Sequence, residues 1–172
     1  MRISWFILVL VVLFTLELLG PVREYVILPF TGLIASVSAA ITQLFDSSVQ
    51  SHGIILQNVN NGTAVSIQPG CNGVEAMICL TAAIVAFPAS WKHKLYGLLF
   101  GFLAIQALNI VRIISLFYLL QWDKEWFEWA HLYMWQALII LDALIVFIIW
   151  VRMLPEPEND DIEPQAGLNK IY

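Results

Sequence analysis

Residues 95–120, LYGLLFGFLAIQALNIVRIISLFYLL, decide the fold class because they form one long apolar run with a single charged residue, Arg112. About 20 consecutive apolar residues are enough for a helix to cross a bilayer. Similar runs occupy about 3–20, 72–90 and 131–151. The chain is 60% hydrophobic and 12% charged, with a mean hydropathy of +0.79, whereas soluble domains are about 25% charged. The sequence therefore predicts an all-α integral membrane helical bundle of about four spans.

A fifth apolar stretch, about 25–45, has a different pattern. Its large apolar residues recur at helical spacing, and hydroxyl and amide side chains such as Thr31, Ser38, Thr42 and Gln43 fill much of the rest. This pattern is typical of an amphipathic helix that lies in the membrane interface. We therefore expect an interfacial helix here and not a further span.

Loop charges predict the orientation of the bundle. The most basic short loop, Lys92-His93-Lys94, is expected in the cytoplasm, together with Arg2 and Arg152. Four spans with both termini inside place all three basic sites in the cytoplasm. Five of the 13 acidic residues follow the last span, and low hydrophobicity with several prolines predicts a disordered cytoplasmic tail. The expected division is one transmembrane domain at 1–154 and an acidic tail at 155–172, with no nucleic-acid partner.

This orientation places residues 46–70 and 121–130 on the outer face. In the first segment, 53–57 and 63–68 flank Asn60-Asn61-Gly62-Thr63, and Asn-Gly suits the positive φ of a type I′ turn. We predict a small extracytoplasmic β-hairpin that delivers the chain to Cys71, at the outer start of the second span.

Cys71 is the first of three candidate catalytic residues. Its neighbours in Pro69-Gly70-Cys71-Asn72-Gly73 are small and leave the sulfur open. A helix that begins here would place its positive dipole end near the thiol and favour the reactive thiolate. The alternative is that Cys71 is a small buried apolar residue, which suits the mid-span Cys79.

Arg112 is the strongest anomaly, because it lies roughly 13 Å from the outer end of its span. A charge at that depth costs about 2.5–3.5 kcal/mol, so it needs a partner or a polar pocket. Asn109, one turn earlier, is expected to orient it. A structural ion pair with Glu75 is the alternative role for Arg112.

His131 opens the last predicted span on the outer side, the side of Cys71 and Arg112. A lone interfacial histidine is usually only an anchor. Together the three residues suggest a Cys71 nucleophile, a His131 acid or base, and an oxyanion-stabilising Arg112, although Arg112 and His131 could exchange roles. Asp142, about three turns deeper than His131, is expected to hold helices together.

The order of these residues resembles a known family. Pro69-Gly70-Cys71-Asn72-Gly73, then Asn109-Ile-Val-Arg112, then His131 resemble the exosortase/archaeosortase family over about residues 50–150. The short chain is most similar to the exosortase H subgroup. Asn72 stands where many relatives have serine, which bears on the oxyanion contacts.

The resemblance implies a membrane-embedded cysteine transpeptidase or protease of the bacterial inner membrane, with its active site facing the periplasm. Its substrates would be secreted proteins with a C-terminal sorting signal, made of a short motif, a transmembrane helix and a basic cluster. A Cys71 thioester would pass the acyl group to an envelope lipid or glycan acceptor. The catalytic residues would be Cys71, Arg112 and His131, supported by Asn72, Glu75 and Asn109, with no cofactor and no metal.

Two non-enzymatic alternatives remain open from the residues. In one, Cys71, His52 and His131 bind a metal or haem, although the positive charge of Arg112 and the absence of metal-ligand spacing argue against it. In the other, the chain is a structural membrane subunit whose polar residues only hold helices together.

Overall fold

The computed structural model describes residues 3–155 as five helices and one small sheet. The helices are α1 (Ile3–Leu18), α2 (Gly20–Thr42), α3 (Val74–Ala86), α4 (Trp91–Trp122) and α5 (Lys124–Arg152). The strands are β1 (Val49–His52), β2 (Ile55–Asn58) and β3 (Ala64–Ser66). The predicted tail, apart from Pro155, lies outside the described residues.

Helices α3, α4 and α5 pack against one another, and α1 packs against α3. Two glycines let α4 approach its neighbours closely. A Cβ at Gly97 would lie 2.4 Å from the Trp150 ring, and one at Gly101 would lie 2.4 Å from the Leu80 side chain. The mainly helical architecture predicted from composition is therefore present.

The span lengths differ from the prediction. Within residues 3–155, α2, α4 and α5 are long and apolar enough to cross a membrane, whereas α1 has 16 residues and α3 has 13. Helix α3 is about 20 Å long and shorter than a hydrocarbon core of about 30 Å. The prediction of a helical span over 72–90 was therefore too long. Gly73 adopts a left-handed conformation before the helix, and Phe87, which precedes Pro88, is extended.

Helix α2 covers most of the stretch that we assigned to the membrane interface. It is 23 residues long with a π-helical turn at Arg23–Ile27, and its length and composition would also allow it to cross a membrane. Its second half packs against the sheet and α4 around Ile34, Ala35 and Phe117. The interfacial position of this helix stays a prediction.

The predicted hairpin is present as β2 and β3, which pair antiparallel with Ile55 opposite Ser66. The connection at 59–63 is longer than the two-residue type I′ turn that we expected. The Asn58 side chain accepts hydrogen bonds from the backbone N–H groups of Asn60 and Asn61, and these bonds order the connection. The sequence did not predict β1, which pairs with β2 and completes a three-stranded sheet.

Candidate active site

The structure brings Cys71, Arg112 and His131 together from three separate segments of the chain. The Arg112 Nη2 donates to Cys71 Sγ at 3.5 Å, and His131 Nε2 lies 3.8 Å from the same sulfur. Cys71 lies in the turn before α3, Arg112 in α4 and His131 in α5. A thiol next to an imidazole is the nucleophile–base pair that nucleophilic catalysis by cysteine uses. The predicted convergence is therefore found, while the catalytic roles stay predictions.

The turn that carries Cys71 is shaped by two glycines. Gly70 and Gly73 have φ angles of +86° and +77°, a region that side chains with a Cβ rarely adopt. At Gly73 there is also no room, because a Cβ would lie 2.7 Å from Gln106 Nε2. The turn closes with a 2.9 Å hydrogen bond from the Cys71 N–H to the Gln68 carbonyl. Its small residues thus allow the sulfur to lie directly against α4.

Asn72 has a structural position next to the thiol. It is fully buried, its Oδ1 accepts from the Val74 N–H at 3.1 Å, and its Nδ2 donates to Thr31 Oγ1 at 3.1 Å. Its side-chain amide is therefore occupied in joining the first turn of α3 to α2. In this geometry Asn72 supports the Cys71 turn.

Arg112 is only 1% exposed, and its guanidinium contacts the Cys71 turn. Besides the sulfur contact, Nη1 donates to the Gly70 carbonyl at 3.3 Å. The Glu75 carboxylate accepts from the N–H of the same residue, Gly70. Arg112 and Glu75 thus hold opposite sides of one peptide segment. The Arg112–Glu75 ion pair, which we gave as the alternative role for Arg112, is not formed. Within residues 3–155 the only ion pair joins Lys124 and Glu128.

Asn109 does not orient Arg112 directly, contrary to our expectation. Its Nδ2 donates to Gln106 Oε1 at 3.3 Å, and its Oδ1 is buried without a partner. Gln106 in turn donates to the Asn72 carbonyl at 3.1 Å. Asn109 therefore supports the Cys71 turn through Gln106.

His131 lies inside α5 and does not open it. Asp123 caps the helix by accepting from the N–H groups of Glu125 and Trp126, so that α5 begins two turns before His131. A π-helical turn at Ala130–Met134 contains the histidine. The Phe127 ring, one turn earlier, stacks on the imidazole with centroids 5.7 Å apart. This stacking holds the ring with Nε2 toward the thiol.

The surroundings of Cys71 do not favour the thiolate that we expected from the sequence. Burial raises the pKa of the thiol above its ordinary value, and the nearby Glu75 carboxylate adds to the rise, while Arg112 lowers it. The expected dipole effect is weakened because α3 begins only at Val74. A thiol that is protonated at neutral pH needs a base, and His131 Nε2 is the group placed to take the proton.

Three further residues at the site escaped the sequence analysis, namely Gln106, Phe127 and Trp135. A signal existed for two of them, since Gln106 precedes Asn109 by one helical turn and Phe127 precedes His131 by one turn. Trp135 follows His131 by one turn, and its Nε1 is buried without a partner.

No metal centre is assembled in the part of the chain that the structure describes. Over residues 3–155, no group of three or more His, Cys, Asp or Glu side chains is placed to hold an ion. His52, a predicted ligand in the metal-binding alternative, is exposed in strand β1. Cys71 and Cys79 are both free thiols.

Comparison with known proteins assigns the chain to a family. The family model described as transmembrane exosortase (Exosortase_EpsH) matches residues 1–151. No protein of curated function and no solved structure matches the chain. The match covers every helix and strand described above except Arg152, the last residue of α5, and confirms the resemblance carried by the three motifs. The chain therefore belongs to the transmembrane exosortase family.

Proposed function

We propose that this protein is a membrane-embedded cysteine transpeptidase or protease that cleaves the C-terminal sorting signals of secreted proteins. The observation that carries the proposal is the double contact of Cys71 Sγ with Arg112 and His131 at 3.5 and 3.8 Å. Family membership supports a transpeptidase as the general class. The substrate class follows from the family resemblance.

In the first half-reaction, His131 Nε2 takes the Cys71 proton as the sulfur attacks the scissile carbonyl carbon. The carbonyl oxygen becomes an oxyanion beside the Arg112 guanidinium. His131 then gives the proton to the leaving nitrogen, the C–N bond breaks, and the C-terminal fragment departs with a free amine. The product is a thioester between Cys71 and the rest of the substrate.

In the second half-reaction, an acceptor nucleophile gives its proton to His131 and attacks the thioester carbonyl. The C–S bond breaks, and the sulfur recovers the proton as a thiol. An envelope lipid or glycan as acceptor gives transpeptidation, and water gives hydrolysis. We place this chemistry on the periplasmic face of the bacterial inner membrane.

The charge of Arg112 fits this role. It forms no ion pair with a carboxylate of the described residues, so its charge is not neutralised at short range. A guanidinium stays protonated when buried and donates from a rigid fork. Two donors of that fork already contact Gly70 and Cys71, where the oxyanion of a Cys71 adduct would form.

Co-expression with a sorting-signal protein from the same genome tests the proposal. We expect wild type to shorten the substrate, Cys71→Ala and Arg112→Ala to leave it intact, and Cys79→Ala to cleave normally. Cys79 is the matched control because it is the other free thiol in the described part of the chain. Unchanged cleavage by Cys71→Ala would refute the covalent mechanism.

A further inference from the structure

A cavity lies between α4 and α5, and Arg112 lines it whereas Cys71 and His131 do not. It has a volume of about 290 Å³. Its apolar lining is Leu108, Leu138, Ile139, Leu141 and Ile145, and its polar lining is Asn109, Arg112, Trp135 and Asp142. Arg112 therefore belongs to both the candidate catalytic site and this cavity, which we name the α4–α5 cleft.

Every polar residue of the cleft has one buried atom without a hydrogen-bond partner. The unpartnered donors are Arg112 Nε and Trp135 Nε1, and the unpartnered acceptors are Asn109 Oδ1 and Asp142 Oδ2. Asn109, Arg112 and Asp142 are at most 7% exposed. Buried polar atoms are nearly always paired in folded proteins, so four unpaired atoms on the residues that line one cavity require an explanation. Asp142 was expected to join helices, and its free Oδ2 points to a different role.

We propose that the α4–α5 cleft binds an extended backbone segment of the substrate polypeptide, next to the bond that Cys71 attacks. This inference rests on the proposed function. Each residue of an extended chain offers one N–H donor and one C=O acceptor. Such a chain matches the two acceptors and two donors of the cleft. A lipid tail offers neither, and a helix has already paired its backbone groups internally.

The length of the cleft fits an extended chain. Its lining on α5 runs from Trp135 to Ile145, about 15 Å, which is the length of about four extended residues. A substrate segment that binds along this lining would be extended where it enters.

The apolar lining of the cleft is partly exposed on the outside of the helical bundle. Leu108, Leu138, Leu141 and Ile145 line it and are 41–47% exposed, although their helices pack together. A substrate held in the membrane by its own hydrophobic helix could reach the cleft sideways. In an apolar environment its unwound backbone would need hydrogen-bond partners, and the four free atoms supply them.

Site-specific photo-crosslinking tests the proposal in the intact protein. A benzophenone amino acid is placed at Leu138 or Leu141 in the Cys71→Ala background, which retains uncleaved substrate, and the sorting-signal protein is co-expressed. Ile140 and Leu144 are matched controls, because they lie on the same helix, are at least as exposed and do not line the cleft. We expect crosslinks to the substrate from 138 and 141 and few from 140 and 144. Equal or absent crosslinking at the lining positions would overturn the proposal.

A second measurement separates a bound peptide from ordered water. Asp142→Asn keeps an acceptor oxygen, whereas Asp142→Leu removes it. We expect Asp142→Leu to raise KM for a purified substrate about tenfold, with Asp142→Asn close to wild type. Labelling of Cys71 by a thiol reagent should stay unchanged in both variants. An unchanged KM in Asp142→Leu would show that the cleft holds water only.

The outcomes distinguish the two proposals. If wild type does not cleave the substrate, the proposed function fails, whatever the crosslinks show. A second outcome is that wild type cleaves normally while crosslinking at 138 and 141 is no stronger than at 140 and 144 and the KM of Asp142→Leu is unchanged. In that case only this inference fails.

Discussion

Replacing Arg112 with methionine should separate catalysis from stability. Methionine fills a similar volume without charge, so it removes the fork that contacts Gly70 and Cys71 at 3.3 and 3.5 Å. Loss of an oxyanion donor costs about 2.7–4 kcal/mol in the transition state, which is about 10²–10³-fold in kcat. We expect cleavage by Arg112→Met to fall by that factor.

The free energy of unfolding should hardly change in this variant. A hydrogen bond from a charged group is worth about 1.5–3 kcal/mol, and these two are at the low end because they are long. The buried charge costs about 2.5–3.5 kcal/mol within a bilayer. The two effects nearly cancel, so Arg112→Met should lie within about 0.5 kcal/mol of wild type.

The assay pairs the cleavage rate with thermal unfolding of the purified protein in lipid nanodiscs. Arg152→Met, at the exposed end of α5, is the control for removal of a cation and should retain both properties. A large fall in Tm for Arg112→Met would mean that Arg112 is chiefly structural. Retained cleavage would refute its place in the reaction.

The Cys71 thiol, the glycine turn before α3 and helix α2 each give a further prediction. Burial raises the pKa of Cys71 and Arg112 lowers it. The rate of Cys71 alkylation should therefore rise as the pH rises into the alkaline range, and the midpoint of this rise should be at still higher pH in Arg112→Met. A midpoint below about pH 8.5 in wild type would contradict this. Gly73→Ala should lower Tm more than Gly70→Ala, because both have positive φ but only at Gly73 would a Cβ meet a side chain, at 2.7 Å; equal losses would show that strain alone matters. A reporter fused after Asp46 should give an extracytoplasmic signal if α2 is interfacial, and a cytoplasmic signal would make α2 a span.

The three candidate catalytic residues could be predicted from sequence because each is unusual for its place. A buried arginine in an apolar run is costly, and a cysteine among glycines has no bulky neighbour in the sequence to cover its sulfur. These signals depend on residue type and depth, which a sequence contains. Their convergence on one sulfur then follows from the packing of α3, α4 and α5.

The roles of Asn72 and Glu75 could not be predicted, because their partners depend on the path of the backbone. Asn72 bonds Thr31, which is 41 positions away. Glu75 bonds the N–H of Gly70 and not Arg112, since the left-handed glycine turns that peptide toward the start of α3. Long-range contacts and turn geometry of this kind leave little trace in a single sequence.

The start of α5 is a different case, since the sequence did contain the signal. Asp123 followed by Glu125 and Trp126 is a helix N-cap pattern. We had interpreted 121–130 as an outer-face segment that precedes the last span. The capping hydrogen bonds of Asp123 show that the charged and aromatic residues form the first turns of the helix that carries His131.

The central claim is that Cys71 forms a thioester with the substrate, and mass spectrometry of the enzyme tests it most directly. The protein is co-expressed with the sorting-signal substrate, quenched in acid and digested. The account predicts a substrate-derived acyl adduct on the Cys71 peptide, released by neutral hydroxylamine and absent from Cys79 and from Cys71→Ala. Continued cleavage by Cys71→Ala, or turnover by wild type with the adduct on another residue, would contradict it.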